Sequence, residues 1–290
     1  MPKGKFDEVS PIKLVGVRDS LAAFKDEERL DREWQPLRFH KRPSLAEAIV
    51  EHQTFTDLIK ETGAQLVQLP ADDSLTLDSI YTRDNILVSP KGLILCTMGR
   101  SSRTPEAAVN LAAYKTHGFE VAGQITAPGT LEGGDFIWIN ETAAAVGLGP
   151  RTNEEGIRQL KVLLGDEVDL HVVPLPEPDH PDDVLHLMSI ISPLDHDLAL
   201  VYQPFLSDDF AAWLGRYGLE LLPLPVDEYI PMGCNVLATA PRQVIMLDKL
   251  PKTKNLLEKA GCRVSLYRGD EISRKGEGGP TCLTRPLIRD

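Results

Sequence analysis

Pairs of short apolar runs, each followed by a longer segment with helical periodicity, recur along the chain. In the first pair, residues 85–89 and 93–97 flank Pro90-Lys91-Gly92, a segment typical of a hairpin turn. The other predicted strand pairs lie at 136–140 and 144–148, at 189–191 and 198–202, and at 235–239 and 244–247. One more apolar run follows each helix, so the predicted unit is strand, strand, helix, strand.

The predicted helices are well delimited at both ends. Ser44-Leu45-Ala46-Glu47 has the pattern of a capping box, and Thr104 followed by Pro105 is a typical helix start. The five helical segments run from Ser44 to Gly63, from Thr104 to Gly118, from Asn153 to Leu164, from Asp208 to Tyr217 and from Thr253 to Ala260. Each ends at or just before a glycine, which favours a left-handed C-cap.

The strand pairs begin at nearly equal intervals. Asp84, Asp135, His186, Asn235 and Cys282 mark these starts, with spacings of 51, 51, 49 and 47 residues. A repeat of about fifty residues predicts five similar units. Residues 13–17 and 65–69, near the N-terminus, would complete the last unit. This pairing of the two ends of the chain would close the five units into a ring. An ordinary doubly wound α/β sheet is the alternative, but it has no hairpin before each helix.

The composition narrows the function classes. The chain has 290 residues with 31 Lys plus Arg against 43 Asp plus Glu, a net charge of −12. This balance argues against nucleic acid as a partner. No apolar run reaches the roughly 20 residues of a membrane span, and Met1 to Val17 lacks the apolar stretch of a signal peptide. Four cysteines without a CxxC pair favour a reduced, cytoplasmic setting.

The five positions that mark the repeat carry polar side chains. In a ring, equivalent positions meet near the axis, where a purely structural repeat would place apolar residues. Cys282 follows the polar stretch 277–281 and is the candidate nucleophile, with His186 as its candidate proton partner. A free thiol of pKa ~8.5 is mostly protonated at neutral pH, so such a partner is needed.

Structural interpretations of these residues stay open at this stage. Cys282 is compatible with a buried inert thiol, His186 with a hydrogen-bonded structural histidine, and Asp84 beside Arg83 with a surface ion pair. The acidic and histidine-containing stretches 179–183 and 195–197 invite a metal interpretation, but they lack the close ligand spacing of metalloenzymes. We therefore predict no metal.

Four ordered segments resemble the guanidino-group modifying enzymes, which include dimethylarginine dimethylaminohydrolases, arginine deiminases and amidinotransferases. They are Thr82-Arg83-Asp84, Glu132-Gly133-Gly134-Asp135, His186-Leu187 and the segment 278–284. The resemblance spans essentially the whole chain. It implies an α/β fold, a five-bladed α/β propeller of ββαβ repeats around a central channel, with residues 1–290 as a single catalytic domain.

The resemblance also implies roles for individual residues. Cys282 is the nucleophile, His186 the general acid and base, Glu132 its orienting carboxylate, and Asp84 the ligand of the substrate guanidinium. Arg103 and Arg151 resemble the arginines that hold the substrate α-carboxylate. Arg83, Asp135 and Met188 complete the predicted substrate-binding set.

Substrate choice depends on Met188, which stands where arginine deiminases carry an aspartate. A thioether in place of this second carboxylate favours N-methyl groups and hence a dimethylargininase-like hydrolase that forms citrulline and an alkylamine through a covalent thiouronium. Thr281-Cys282-Leu283-Thr284 looks more like the deiminase and amidinotransferase branch.

Arginine deiminase, dihydrolase or amidinotransferase activity is the alternative, and a guanidino-binding protein without turnover is least favoured, because binding needs no thiol. We predict that the reaction needs no cofactor and that the protein's partner is a small guanidino compound. A homo-oligomeric protein is compatible with this function.

Overall fold

Five small mixed sheets, each of three strands, form the blades of an α/β propeller. The computed structural model describes residues 4–177 and 185–290. Within these ranges the strands are β1 Ile12–Val17, β2 Gln65–Gln68, β3 Ile86–Ser89, β4 Gly92–Leu95, β5 Val121–Gln124, β6 Phe136–Asn140, β7 Ala143–Leu148, β8 Asp169–Pro174, β9 Ile191–Asp195, β10 Leu198–Val201, β11 Glu220–Pro223, β12 Leu237–Ala240, β13 Gln243–Leu247, β14 Arg263–Tyr267 and β15 Arg285–Arg289.

Every blade has the predicted ββαβ arrangement. Two strands pair antiparallel, as a hairpin in four of the blades, and a third strand pairs in parallel with one of them. The third strand is reached through a helix. The described helices are α1 Ser20–Phe24, α2 Glu27–Glu33, α3 Leu45–Glu61, α4 Glu106–Lys115, α5 Glu154–Leu164, α6 Asp208–Arg216 and α7 Pro251–Lys259.

The two ends of the chain build the fifth blade together. Strand β1 pairs antiparallel with β15, where Ile12 lies opposite Arg289. Strand β1 also pairs in parallel with β2, where Leu14 lies opposite Gln65. The predicted closure of the ring is confirmed, and it places Cys282 only three residues before the strand that closes it.

The helix ends follow the predicted capping pattern. The glycines that end the five long helices all have a positive φ, between 78° and 90°; they are Gly63, Gly118, Gly165, Gly218 and Gly261. Ser44 and Asn153 cap the helices that follow them. The start of α4 was predicted wrongly, because residues 101–103 form a 3-10 turn and Pro105, not Thr104, is the N-cap.

Two helices and one strand were missed or misplaced by the sequence pattern. Helices α1 and α2 have only five and seven residues, which is too short to show helical periodicity. The strand predicted at 189–191 begins only at Ile191, because Leu187–Ser189 forms a 3-10 turn that directly follows His186. No helix in the described ranges is long and apolar enough to cross a membrane.

The apolar core lies between the blades and the helices, and charged side chains are buried nearer the axis. Trp213, Phe55 and Tyr114 are fully buried in the apolar layers. Arg83 and Glu132 are equally buried, although both are charged. Buried charges require partners, and both residues have one: Arg83 pairs with Glu8, and Glu132 with His186.

Candidate active site

His186 and Glu132 form a buried pair at the axis. Glu132 Oε2 lies 2.8 Å from His186 Nε2, and Glu132 Oε1 accepts hydrogen bonds from the backbone N–H groups of Gly99 and Arg100 at 3.0 and 3.2 Å. Arg151 Nη1 lies 3.5 Å from the same oxygen. One carboxylate oxygen thus holds Nε2 of His186 and the other is anchored by the backbone, which leaves Nδ1 of His186 for proton exchange.

The charges around His186 favour its protonated form. Burial acts to lower the pKa of His186, but the negative charges of Asp135 and Asp84 and the bond to Glu132 outweigh it and raise the pKa to about 9. Burial opposes ionisation of Glu132 as well, but the hydrogen bond and charge of His186 hold its pKa below the ordinary value. The pair is therefore an imidazolium carboxylate at neutral pH.

Asp84 presents a carboxylate oxygen that accepts no hydrogen bond from any described residue. Its Oδ2 accepts from Arg103 Nη1 at 2.7 Å, whereas Oδ1 is buried and unpartnered within those residues. Gly134 lies directly beside it: a Cβ there would come within 2.9 Å of Asp84 Oδ1 and 2.6 Å of His186 Nδ1. An unsatisfied buried carboxylate oxygen is the kind of group that a cationic N–H donor stabilises.

Cys282 is partly exposed and held by polar neighbours. Asn235 Nδ2 lies 3.3 Å from its sulfur, and the Thr281 hydroxyl lies 3.9 Å away. Asn235 Oδ1 accepts from both the N–H and the hydroxyl of Thr281, which fixes the loop that carries the nucleophile. Burial and the charge of Asp84 raise the pKa of the Cys282 thiol, and the hydrogen bond from Asn235 acts in the opposite direction.

Two cavities meet at the sulfur. The smaller, of about 110 Å³, is mainly polar; its lining includes Asp78, Asp84, Arg100, Arg103, Arg151, His186 and Cys282. The larger, of about 400 Å³, is mainly apolar and is lined in part by Met188, Tyr229, Ile230, Pro231 and Met232. His40, His186, Glu277 and Cys282 border both. We call them the polar cavity and the apolar cavity.

The two arginines predicted to hold an α-carboxylate both reach the polar cavity. Arg103 is held firmly, since it donates to Asp84, to both oxygens of Glu106 and to the carbonyl of Tyr81 at 2.7 Å. Its first effect is to orient Asp84. Arg151 is 6% exposed and lies against Glu132. Contact of either arginine with a substrate stays a prediction.

Asp135 and Arg83, two further predicted substrate ligands, lie outside the lining of both cavities. Asp135 is fully buried; its oxygens accept from the Thr152 hydroxyl at 2.6 Å and from the Leu187 N–H at 3.0 Å. Burial raises the pKa of Asp135 to about 6. These contacts fit a residue that positions His186.

The side chain of Arg83 turns away from Asp84. Its Nη1 donates to Glu8 at 3.2 Å and its Nε to the carbonyl of Thr281 at 3.1 Å. The surface ion pair between Arg83 and Asp84, which the sequence left open, is absent from the described contacts. Arg83 instead supports the loop of Cys282 from the opposite side.

Sequence reasoning assigned no role to several residues that the structure brings to the site. Asn235 is one of the five positions that mark the repeat, and its contact with the sulfur of Cys282 gives it a function in the site. Arg100, which pairs with Asp78 at 2.8 Å, had no such signal. His40 and Glu277 are 237 residues apart and lie 2.7 Å from each other across the junction of the two cavities, a contact that no local pattern encodes.

The paired glycines serve close packing. Gly133 and Gly134 approach Arg83 and His186, and Gly279 approaches Asn235, so any side chain would collide with a neighbour. None of these three has a positive φ. These glycines therefore let neighbouring side chains approach the backbone closely, and they do not form left-handed turns.

Asp84, Glu132 and His186 bring potential ligand atoms within 4.8 Å of one another. The oxygens of Glu132 already bind His186 and two backbone N–H groups, and Arg103 and Arg151 place positive charge beside the cluster. An acid–base pair accounts for this arrangement better than a cation site. The stretch 179–183 lies outside the described residues. Asp195 and Asp197 are accounted for by Arg242, at 2.7 and 2.8 Å.

Comparisons with known proteins show the family of this chain. A family model described as arginine deiminase matches residues 77–220 and 206–289. A dimethylarginine dimethylaminohydrolase of Streptomyces coelicolor is 28% identical over 258 residues, which are 83% of this chain and 92% of the relative. An arginine deiminase of Listeria welshimeri is 25% identical over 315 residues, 94% of this chain and 74% of the relative.

A solved structure shares the fold. The dimethylarginine dimethylaminohydrolase of Pseudomonas aeruginosa, a mutant complexed with citrulline, superimposes with a TM-score of 0.77 at 22% identity, over 97% of this chain and 100% of that one. Fold and site together define a guanidino-group modifying enzyme. Within that class, the chain belongs to the arginine deiminase family.

Proposed function

We propose that this protein is a cysteine hydrolase that removes an alkylamine from an N-methylated arginine and leaves citrulline. The observation that carries the proposal is the setting of Cys282 between the unpartnered Oδ1 of Asp84 and an apolar cavity. The first binds guanidinium N–H groups, and the second accepts N-methyl groups that cannot hydrogen-bond. The imidazolium of His186 lies at the same junction.

Substrate binding prepares the nucleophile. The charge of Asp84 and burial keep the resting thiol protonated. A guanidinium bound to Asp84 neutralises that charge and adds a cation beside the sulfur, so the thiol releases its proton to water in the cavity. The arrangement couples formation of the thiolate to the presence of substrate.

The first half of the reaction forms the covalent intermediate. The thiolate of Cys282 attacks the guanidino carbon and forms a C–S bond, which gives a tetrahedral adduct. His186 donates a proton from its imidazolium to the alkylated nitrogen, the C–N bond breaks, and the neutral amine leaves. The product on the enzyme is a thiouronium cation, next to a now neutral His186 still held by Glu132.

The second half consumes one water. Neutral His186 takes a proton from water, and the hydroxide adds to the thiouronium carbon. The C–S bond then breaks with its electron pair returning to sulfur, the hydroxyl proton of the tetrahedral adduct passes to water as the ureido carbonyl forms, and the product is released. His186 is again protonated and Cys282 is again a thiolate, ready for the next substrate.

Substrate choice follows from the apolar cavity. Among the described residues that line it, the carboxylate is Glu277, and it is engaged by His40. Met188, only 4% exposed, packs with Leu187 and Ile191 in the wall. Among the lining residues that the structure describes, no carboxylate is thus left to bind a second pair of guanidino N–H groups, which favours methylated over free arginine.

Arginine deiminase activity is the second candidate. The family model and the Listeria relative carry that name. In this case the amine released would be ammonia, and the apolar cavity would be an access route for water instead of a methyl pocket.

A substrate panel separates these outcomes. Purified protein is incubated with asymmetric dimethylarginine, monomethylarginine, arginine and other guanidino compounds, with and without an added acceptor amine. Citrulline is measured together with the released amine. Dimethylamine from the methylated substrate supports the proposal, ammonia from arginine selects the deiminase, a new guanidino product selects amidine transfer, and no turnover of any compound rejects hydrolysis.

A mass-spectrometric trap distinguishes an enzyme from a binding protein. Acid quenching during turnover should yield a Cys282 adduct, whereas a protein that only binds guanidines gives none. We further propose a reducing, cytoplasmic setting, since Cys282 must remain a free thiol and the other cysteines are buried and unpaired. A homo-oligomeric state stays a prediction.

A further inference from the structure

Three buried guanidinium groups lie below the nucleophile loop, on the side away from the polar cavity. Arg83, Arg285 and Arg289 are 1%, 4% and 3% exposed. They border a cavity of about 30 Å³, and Arg83 and Arg289 also border a second one of about 10 Å³. We call these residues the arginine cluster. Buried charges of one sign, this close together, require compensation.

The carboxylates beside the cluster do not fully compensate it. Glu8 Oε2 lies 3.2 Å from Arg83 Nη1 and 4.0 Å from Arg289 Nη2. Asp7 also borders the larger of these two cavities, but its oxygens accept from the N–H groups of Val9 and Ser10 and from the Ser10 hydroxyl. Three cations therefore face two carboxylates, and a surplus of one positive charge stays buried.

One group of the cluster is left with an unmet hydrogen bond. Arg289 Nη1 donates to the carbonyls of Ser10 and Ala238 at 2.6 and 3.1 Å, but its buried Nη2 has no hydrogen-bond acceptor among the described residues. Arg285 donates to the carbonyl of Arg83. A buried N–H group without an acceptor is rare, and it points to a ligand that supplies one.

The electrostatics of the cluster agree with this reading of its geometry. Burial, together with the positive charge of Arg83, lowers the pKa of both Arg285 and Arg289 to about 10, and Glu8 only partly opposes the effect. Burial is the main cause at both residues, and an anion that enters the cavity would offset this loss of solvation.

We propose that the arginine cluster binds a small monovalent anion of the halide class, chloride in practice. The surplus charge is one, the unpartnered donor is on Arg289, and cavities of about 30 and 10 Å³ hold one or two particles of the size of water. These small volumes favour a monatomic anion over sulfate, phosphate and organic carboxylates. The anion stabilises Arg83, which supports the nucleophile loop through the carbonyl of Thr281 and donates its backbone N–H to the carbonyl of Cys282.

Thermal unfolding in two salts tests the proposal without reference to catalysis. Sodium chloride is titrated against sodium gluconate at constant sodium concentration and ionic strength, because gluconate is too large for the cavity. Chloride should raise the unfolding midpoint along a saturating curve, by about 3–6 °C at concentrations far above its dissociation constant. Equal midpoints in both salts at all concentrations would reject the site.

Two variants move the chloride effect in opposite directions. Arg289→Met removes the unpartnered donor and the surplus charge, so the difference between the salts should vanish. Glu8→Gln removes the internal competitor of the anion, so the variant should be less stable in gluconate, regain most of that loss in chloride, and respond at a roughly tenfold lower chloride concentration. Arg263→Met, which removes an exposed arginine from another blade, is the matched control and should respond as the native protein does.

Bromide makes the site visible directly. Crystals grown or soaked in sodium bromide should show an anomalous peak beside the guanidinium of Arg289. Water alone at that position, in the native protein and in Glu8→Gln, would overturn the proposal even if general salt effects raise the midpoint. Neither measurement needs a substrate, so the anion site and the hydrolase can fail separately.

Discussion

The central channel is acidic on one side of the nucleophile loop and basic on the other. On the acidic side, Asp84, Glu132 and Asp135 surround His186 and raise its pKa to about 9. On the basic side, the arginine cluster lies around Glu8, and burial lowers the pKa of Arg289 to about 10 although Glu8 opposes the effect. Burial opposes protonation on both sides, but the neighbouring carboxylates outweigh it at His186 and do not outweigh it at Arg289.

The boundary between the two sides runs between two consecutive residues. Asp84 borders the polar cavity, whereas Arg83 extends to Glu8 and the smaller cavities. The backbone at this point supports both sides, since Arg83 N–H donates to the carbonyl of Cys282. A change on one side should alter the chemistry, and a change on the other should alter the stability of the loop.

The largest effect is expected for Cys282→Ser. A hydroxyl is far less ionised than a thiol, so kcat should fall by at least about 10³-fold while the unfolding midpoint stays close to that of the native protein. Steady-state citrulline formation and a thermal melt check this. Cys262→Ser, at a cysteine beside β14, is the control and should keep its activity; retained activity in Cys282→Ser would rule out the nucleophile.

Asp84→Asn should cost about 10²-fold or more in kcat/KM, since a neutral amide cannot neutralise the guanidinium. The substitution also removes the negative charge of Asp84, which raises the pKa of the Cys282 thiol. Alkylation by iodoacetamide should therefore proceed faster at neutral pH in the variant than in the free native enzyme. An unchanged alkylation rate would contradict the link between Asp84 and the sulfur.

Arg83→Gln is the matched change on the basic side. It leaves Glu8 without its nearest cation, and breaking a buried ion pair typically costs about 3–5 kcal/mol of the free energy of unfolding. Denaturant unfolding should show this loss, while KM stays within about twofold because Arg83 does not border the polar or apolar cavity. A large rise in KM at native stability would instead support the predicted substrate contact.

Glu132→Gln should lower the pKa of His186 towards its ordinary value of 6.5. A histidine whose folded pKa is raised stabilises the fold below about pH 6.5, and that stability is lost as the pH rises through about 9. The native protein should therefore lose stability between these limits, and the variant should lose less. Imidazole NMR shifts measure the pKa itself, and the alkaline limit of kcat/KM should move to lower pH by one unit or more.

Met188→Asp should give the smallest effect, a change of several-fold in preference. A carboxylate in the wall of the apolar cavity would bind free guanidino N–H groups and reject methyl groups, so the ratio of kcat/KM for arginine to that for dimethylarginine should rise. Because Met188 is buried, Met188→Leu serves as a packing control and should keep the native ratio. Equal ratios in all three proteins would show that residue 188 does not meet the guanidine.

The repeat and its polar positions could be predicted because they are periodic. Hairpins, helix ends and the closure of the ring all leave local signals, and the spacing near fifty residues aligned Asp84, His186 and Cys282 correctly. Spacing does not tell which way a side chain points, however. For that reason Arg83 and Asp135 were grouped with substrate ligands, although both lie behind the cavity walls.

The contact between His40 and Glu277 left no signal in the sequence, because neither residue occupies a repeat position. The two residues nevertheless meet at the junction of the two cavities. Short helices such as α1 were not predicted, because five residues are too few to show a helical period. The parts of the site that escaped prediction are therefore those built by packing, not by repetition.

The pairing of β1 with β15 has a consequence for how activity is acquired. Residues more than 270 positions apart must meet before the fifth blade exists, and the same event brings the sulfur to the axis. Four blades can gain their helices and hairpins earlier from contacts within each unit. During refolding, the circular dichroism signal should therefore recover ahead of catalysis, and a molecule with the ring still open would look largely native yet be inert.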